Sequence, residues 1–95
     1  MPIDEELLRK ARENPADIRF SEVINLAEQM GWVYVGGKGS HRVFRHPRAG
    51  RIRDKFPMPL NFQEGKNGKA KAYQVEQLLA MARELGIITV SETKE

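Results

Sequence analysis

Apolar and polar positions alternate along the chain in ways that predict six elements. In residues 4–14, DEELLRKAREN, Leu7, Leu8 and Ala11 form a narrow stripe at helical spacing. Asp4 is placed to cap that helix, and Glu5 and Glu6 suit the positive end of its dipole. Pro15 stops it, since the residue before a proline avoids the α region. Residues 21–30, SEVINLAEQM, predict a second helix with Ser21 as N-cap and Gly31 just past its end. Phe20, Val23, Ala27 and Met30 recur at intervals of three and four, and Ile24 and Leu26 widen that face. The β-branched and aromatic run WVYV, 32–35, predicts a strand. GGKGS, 36–40, predicts a turn, and HRVFRH, 41–46, a returning strand stopped by Pro47. By the period of two, His41, Val43 and Arg45 share one face of that strand, and Arg42 and Phe44 share the other.

The basic stretch 48–57 reads as a loop with mobility expected. A short third strand follows at 59–63, with Leu60 and Phe62 on one face, and then a polar, Gly-rich connection. Residues 71–85 predict the strongest helix, with Val75, Leu78, Leu79, Ala82 and Leu85 on one side and Gly86 as its stop. Residues 87–90 read as a fourth short strand or a packed tail, and 91–95 as a frayed end. Three antiparallel strands have one face to bury, and the helices at 21–30 and 71–85 have the faces to cover it. The expected fold is therefore α+β: a two-layer sandwich, α-β-β-β-α, with an extra N-terminal helix and one sheet face open. In domain terms, 1–17 is a helical extension, 18–90 the domain and 91–95 a tail.

Composition narrows the class. With 95 residues there is room for one modest core, and 31% charged residues fit a globular chain. No cysteine is present, so neither a disulfide framework nor a thiolate metal site is available, and a reducing cytoplasm is the compatible location. The first ten residues are acidic and lack the apolar core of a secretory signal. No run approaches the ~20 apolar residues of a membrane span. The net charge of +3 hides a strong asymmetry. Residues 36–71 hold ten Lys or Arg against two acids, whereas the rest holds six against eleven. A basic middle between acidic flanks points to a polyanion, with nucleic acid first; the alternative is a solvated basic face.

The residues GWVYVGGKGSHRVFRHP, 31–47, resemble the HicA family of bacterial toxins from toxin–antitoxin pairs. In that family a helix ends in Gly plus an aromatic, here Gly31 and Trp32. A strand follows, here Val33, Tyr34 and Val35. Then come a Gly-Ser-His signature, here Gly39, Ser40 and His41, and an apolar-aromatic strand, here Val43 and Phe44. PLNFQEGKNGKAKAYQVEQLL downstream is similar to the third strand and last helix of a subgroup. The likeness spans roughly residues 18–86. It implies a fold like that of double-stranded-RNA-binding domains. It implies a ribonuclease toxin, an mRNA interferase independent of metals and cofactors, with the signature histidine, His41, as catalytic residue. It also implies a cognate antitoxin that masks the site. The longer, basic 48–57 stretch and residues 1–17 depart from the family pattern.

The chemistry agrees with that implication. Histidine suits proton transfer at neutral pH because its unperturbed pKa is about 6.5, and such a group can speed transfer steps by ~10²–10⁴. Lys38, Arg42 and Arg45 are the nearest cations for gripping phosphates. Gly39 and Ser40 can present backbone or hydroxyl donors. Lys66, Lys69 and Lys71 lead into the last helix, where a dipole favours anions. For each, an ordinary solvated charge or flexible turn is the competing reading. His46 lies ~16–17 Å along the strand from His41 and is not paired with it. Neither histidine has acids at metal-ligand spacing, so no metal is expected. Trp32, Tyr34, Phe44 and Phe62 read as core rather than as base-stacking platforms. The rival function is a module that holds double-stranded RNA or DNA without cutting it; a further one is a domain whose basic face docks an acidic protein.

Overall fold

The computed structural model describes residues 3–39, 41–56 and 58–88. Among them run three α-helices and one antiparallel sheet: α1 (Glu5–Glu13), α2 (Phe20–Gln29), β1 (Val33–Gly36), β2 (His41–Arg45), β3 (Leu60–Gln63) and α3 (Ala72–Glu84). The sheet order is β1-β2-β3. From α2 onward this is the α-β-β-β-α order expected, with α1 added in front.

α1 starts where the sequence places it. The Asp4 carboxylate accepts from the Leu7 N–H at 3.2 Å. Asp4→Ala leaves that donor without its cap, at a cost of roughly 1 kcal/mol; a drop of the unfolding midpoint by about 4–8 °C in a thermal melt is expected. α1 is no loose arm. Leu8 and Ala11 are buried, and the helix packs on both α2 and α3.

α2 begins one residue before Ser21, and Ser21 is not its cap. The Glu22 carboxylate instead accepts from the Arg19 N–H at 2.9 Å, the reach-back half of a capping box. The helix ends in a Schellman motif: Gly31 N–H donates to Glu28 O and Trp32 N–H to Ala27 O, both at 3.0 Å. Gly31 has φ +97°, which glycine adopts without a Cβ penalty. α3 ends the same way, with Gly86 N–H on Arg83 O and Ile87 N–H on Ala82 O.

The Schellman turn at the end of α2 carries Trp32 out of the predicted strand. Trp32 is buried before β1 begins, and the strand runs through Gly36 instead. Its ring meets His46 edge-on, with centroids 5.1 Å apart. His46 lies just past β2 and is buried. Its Nδ1 accepts from the Arg48 N–H at 3.1 Å, so its Nε2 donates to Met30 O at 3.0 Å. This histidine ties the end of β2 to the end of α2.

The core lies between one sheet face and the helices. Phe44, Leu60 and Phe62 come from the sheet, Val23, Leu26 and Ala27 from α2, and Val75, Leu78, Leu79, Met81 and Ala82 from α3. The described part of the basic stretch, 48–56, is anchored rather than loose. It holds a 3-10 turn at Ala49–Arg51 and buries Ile52. Arg48 donates to Leu85 O at 3.1 Å, and Lys55 pairs with Glu84 at 2.9 Å. The polar connection before α3 is likewise structured, with a 3-10 turn at Lys66–Gly68 and bridges from Lys69 to Arg19 and from Ala70 to Glu64. Ile88 is buried. The rest of the expected fourth strand and the 91–95 tail lie outside the described residues. No helix among the described residues is long and apolar enough to cross a membrane.

Candidate functional site: the open sheet face around His41

Register fixes the site. β2 and β3 pair His41 with Gln63, Arg42 with Phe62, Val43 with Asn61 and Phe44 with Leu60. Phe44, Leu60 and Phe62 point into the core. The period of two then puts His41, Val43, Arg45, Asn61 and Gln63 together on the other, open face. His41 is half-buried there, and Arg45 and Asn61 are exposed.

His41 Nδ1 lies 3.3 Å from Asn61 Oδ1. An amide oxygen only accepts, so Nδ1 carries the hydrogen, and in the neutral ring the lone pair is then on Nε2. Next to it, Lys71 Nζ donates to Gln63 Oε1 at 3.1 Å, and Gln63 is the cross-strand partner of His41. A lysine at the entry of α3 thus stands beside the imidazole by way of one glutamine. Asn61 and Gln63 are site residues that the sequence reading missed. The signal was present: in LNFQ, Leu60 and Phe62 take the buried face, so Asn61 and Gln63 must take the other.

The hairpin turn that carries His41 is held from within. His41 N–H donates to Lys38 O at 2.9 Å. Arg42 Nη1 donates to Gly39 O at 2.7 Å and to His41 O at 3.0 Å. Arg42 thus lies on the face opposite His41 and braces the turn. Gly37 makes the turn possible. A Cβ there would stand 2.2 Å from His41 O, far inside contact distance, and both atoms are fixed to the backbone. Gly37→Ala is therefore expected to destabilise the fold by roughly 1–3 kcal/mol and to displace His41; a denaturant titration reads the first effect.

The predicted cations do not form one cluster. Arg45 and Lys71 lie on the open face and Arg42 behind it, while Lys38 is exposed in the hairpin turn. Lys69 is ion-paired with Asp17, whose carboxyl it holds below the usual range, first by hydrogen bonding and then by charge. Lys66 is exposed in the 3-10 turn before α3. Gly39, at φ +60°, sits at the tip of the hairpin. Ser40 lies outside the described residues. Of the four aromatics assigned to the core, Trp32, Phe44 and Phe62 are buried, but Tyr34 is 49% exposed on the edge strand. Among the described residues no group of three or more His, Asp or Glu stands together as metal ligands would.

Residues 20–61 match the family model described as the HicA toxin of bacterial toxin–antitoxin. The matched segment begins at the first residue of α2 and ends at Asn61, so it contains both His41 and its ring partner. No curated protein and no solved structure matches the chain.

Proposed function

Residues 20–61 belong to the HicA toxin family, and from that premise we propose that the chain is an endoribonuclease toxin whose general acid/base is His41. The family carries with it a toxin of a toxin–antitoxin pair and a cognate antitoxin as partner. RNA cleavage, and mRNA as substrate, are our reading of the site. The observation that supports it most is the His41 ring on an open face, Nδ1 engaged by Asn61 and Nε2 bonded to no described residue.

The reaction needs few parts. Nε2 takes the proton of a ribose 2′-hydroxyl. The freed oxygen attacks the adjacent phosphorus, and the P–O5′ bond breaks. The products are a 2′,3′-cyclic phosphate and a 5′-oxygen, which takes up the proton from the imidazolium or from water. Charge grows on the non-bridging oxygens as the bond forms. Lys71, held on this face by Gln63, is the cation we assign to meet it, with Lys38 and Arg45 on neighbouring phosphates. Lys66 and Lys69 extend the basic surface at the entry of α3. Gly39 keeps the turn's backbone close to a phosphate, with Ser40 beside it in sequence. Arg42 acts through the turn it braces. The steps require no metal or cofactor.

The test is induced expression of the wild type and of Asn61→Ala in a bacterial host, followed by growth and RNA integrity. Wild type is expected to arrest growth with fragmented RNA, and Asn61→Ala to do so more weakly, because the ring loses its orienting bond. Arrest with intact RNA would contradict the proposal and favour binding without cutting.

A further inference from the structure

The two edges of the sheet are treated differently. The outer edge of β3 is closed by α3: Gln74 accepts from Gln63 N–H at 3.0 Å and donates to Asn61 O at 2.6 Å. Among the described residues, no strand lies beside the outer edge of β1. β1 also exposes three apolar residues in a row, Val33 at 56%, Tyr34 at 49% and Val35 at 50%. It carries no lysine, acid or proline, the devices that usually keep a free edge from pairing. One bulge, between Tyr34 and Gly36, lies on the β2 side of the strand.

Val33-Tyr34-Val35 reads the same in both directions. Under antiparallel pairing about a two-fold axis at Tyr34, Val33 of one copy stands opposite Val35 of the other, and tyrosine meets tyrosine. Cross-strand pairs of β-branched and aromatic residues are favourable. Lys38 stands in the turn just past the end of β1, and the C-terminal end of α2 lies just before its start, so antiparallel pairing brings Lys38 of one copy and the α2 end of the other to the same end of the joint. Glu28 lies there, exposed, lining the groove with Ile24, Tyr34, Arg42 and Phe44. Neither Glu28 nor Lys38 makes a side-chain hydrogen bond or ion pair with another described residue. A cation at that point also meets the negative end of the α2 dipole.

We infer that β1 is a self-pairing edge: two copies of this chain join through antiparallel β1 strands into one six-stranded sheet, locked at each end by Glu28 of one copy and Lys38 of the other. The joined sheet keeps both His41 faces on the same side, roughly 25 Å apart by strand spacing and rise.

Sedimentation equilibrium of the full chain, without RNA, tests this apart from any cleavage. Wild type is expected to show a monomer–dimer equilibrium. Val35→Lys, at an exposed position, should sediment as a folded monomer. Glu28→Lys and Lys38→Glu should each weaken association about tenfold, since each breaks two symmetry-related pairs and sets like charges together. The double variant should restore it. A wild type that stays monomeric at high concentration overturns the inference. So does a dimer that ignores Val35→Lys, or one that the double charge exchange fails to rescue. A wild type that is monomeric alone but captures an extended segment of another protein on β1 overturns self-pairing in favour of that partner.

Discussion

His41→Ala is expected to leave the fold intact and to reduce RNA cleavage by ~10²–10⁴. The first half follows from where the ring sits. It stands on the open face with one side-chain partner, Asn61, at 3.3 Å, and contributes nothing to the buried cluster. Removing it opens no cavity and strands no buried polar atom. The second half follows from what remains. No second histidine takes its place, because His46 is buried with both ring nitrogens engaged. The cations would still hold RNA, so binding should survive while turnover falls. A gel shift with intact RNA, paired with a melt matching that of the wild type, is the expected outcome. A variant that cleaves at the wild-type rate would remove His41 from the chemistry.

Phe44→Ala carries the largest expected loss of stability, about 3–5 kcal/mol. Phe44 is fully buried on the middle strand. Its ring lies 5.8 Å from Phe62, edge-on, and 5.5 Å from Tyr34. No neighbour can close the gap, because β2 is fixed on both sides by its strand pairing. Against a typical total of about 5–15 kcal/mol, such a loss should move the unfolding midpoint by more than about 10 °C. Urea denaturation followed by circular dichroism reads it directly. A loss under about 1 kcal/mol would mean that the sheet is not held by this aromatic contact.

The elements with clear periodicity were legible in the sequence. α1 and α3 fall within a residue or so of the stretches that DEELLRKAREN and KAYQVEQLLAMAREL predict, because stripe, Asp4 cap and Pro15 stop agree in the first, and stripe and Gly86 stop in the last. The face of β2 was legible too, since period two needs only one buried residue, Phe44, to orient the rest. What the chain hid were contacts between distant segments. A serine at the start of α2 is a good cap in isolation, but the Glu22 carboxylate reaches Arg19 first. The basic 48–57 stretch reads as loose by composition, yet Ile52, Arg48 and Lys55 fasten it to the core and to the end of α3. Tyr34 reads as core by type, but β1 is an edge strand, and type does not reveal strand order. At the site, His41 was visible. The face of its companions Asn61 and Gln63 was readable from LNFQ, but not their place beside His41, because that requires the β2–β3 register.

The central claim is that an imidazole on this face activates a ribose hydroxyl against its own phosphate. Its most direct test is the chemistry of the cut ends. Purified protein is incubated with RNA in the presence of a chelator, and the fragments are analysed by mass. The account predicts 2′,3′-cyclic phosphate ends, formed without divalent metal and absent with His41→Ala. Fragments ending in a 3′-hydroxyl, or cleavage that needs a divalent ion, would contradict it.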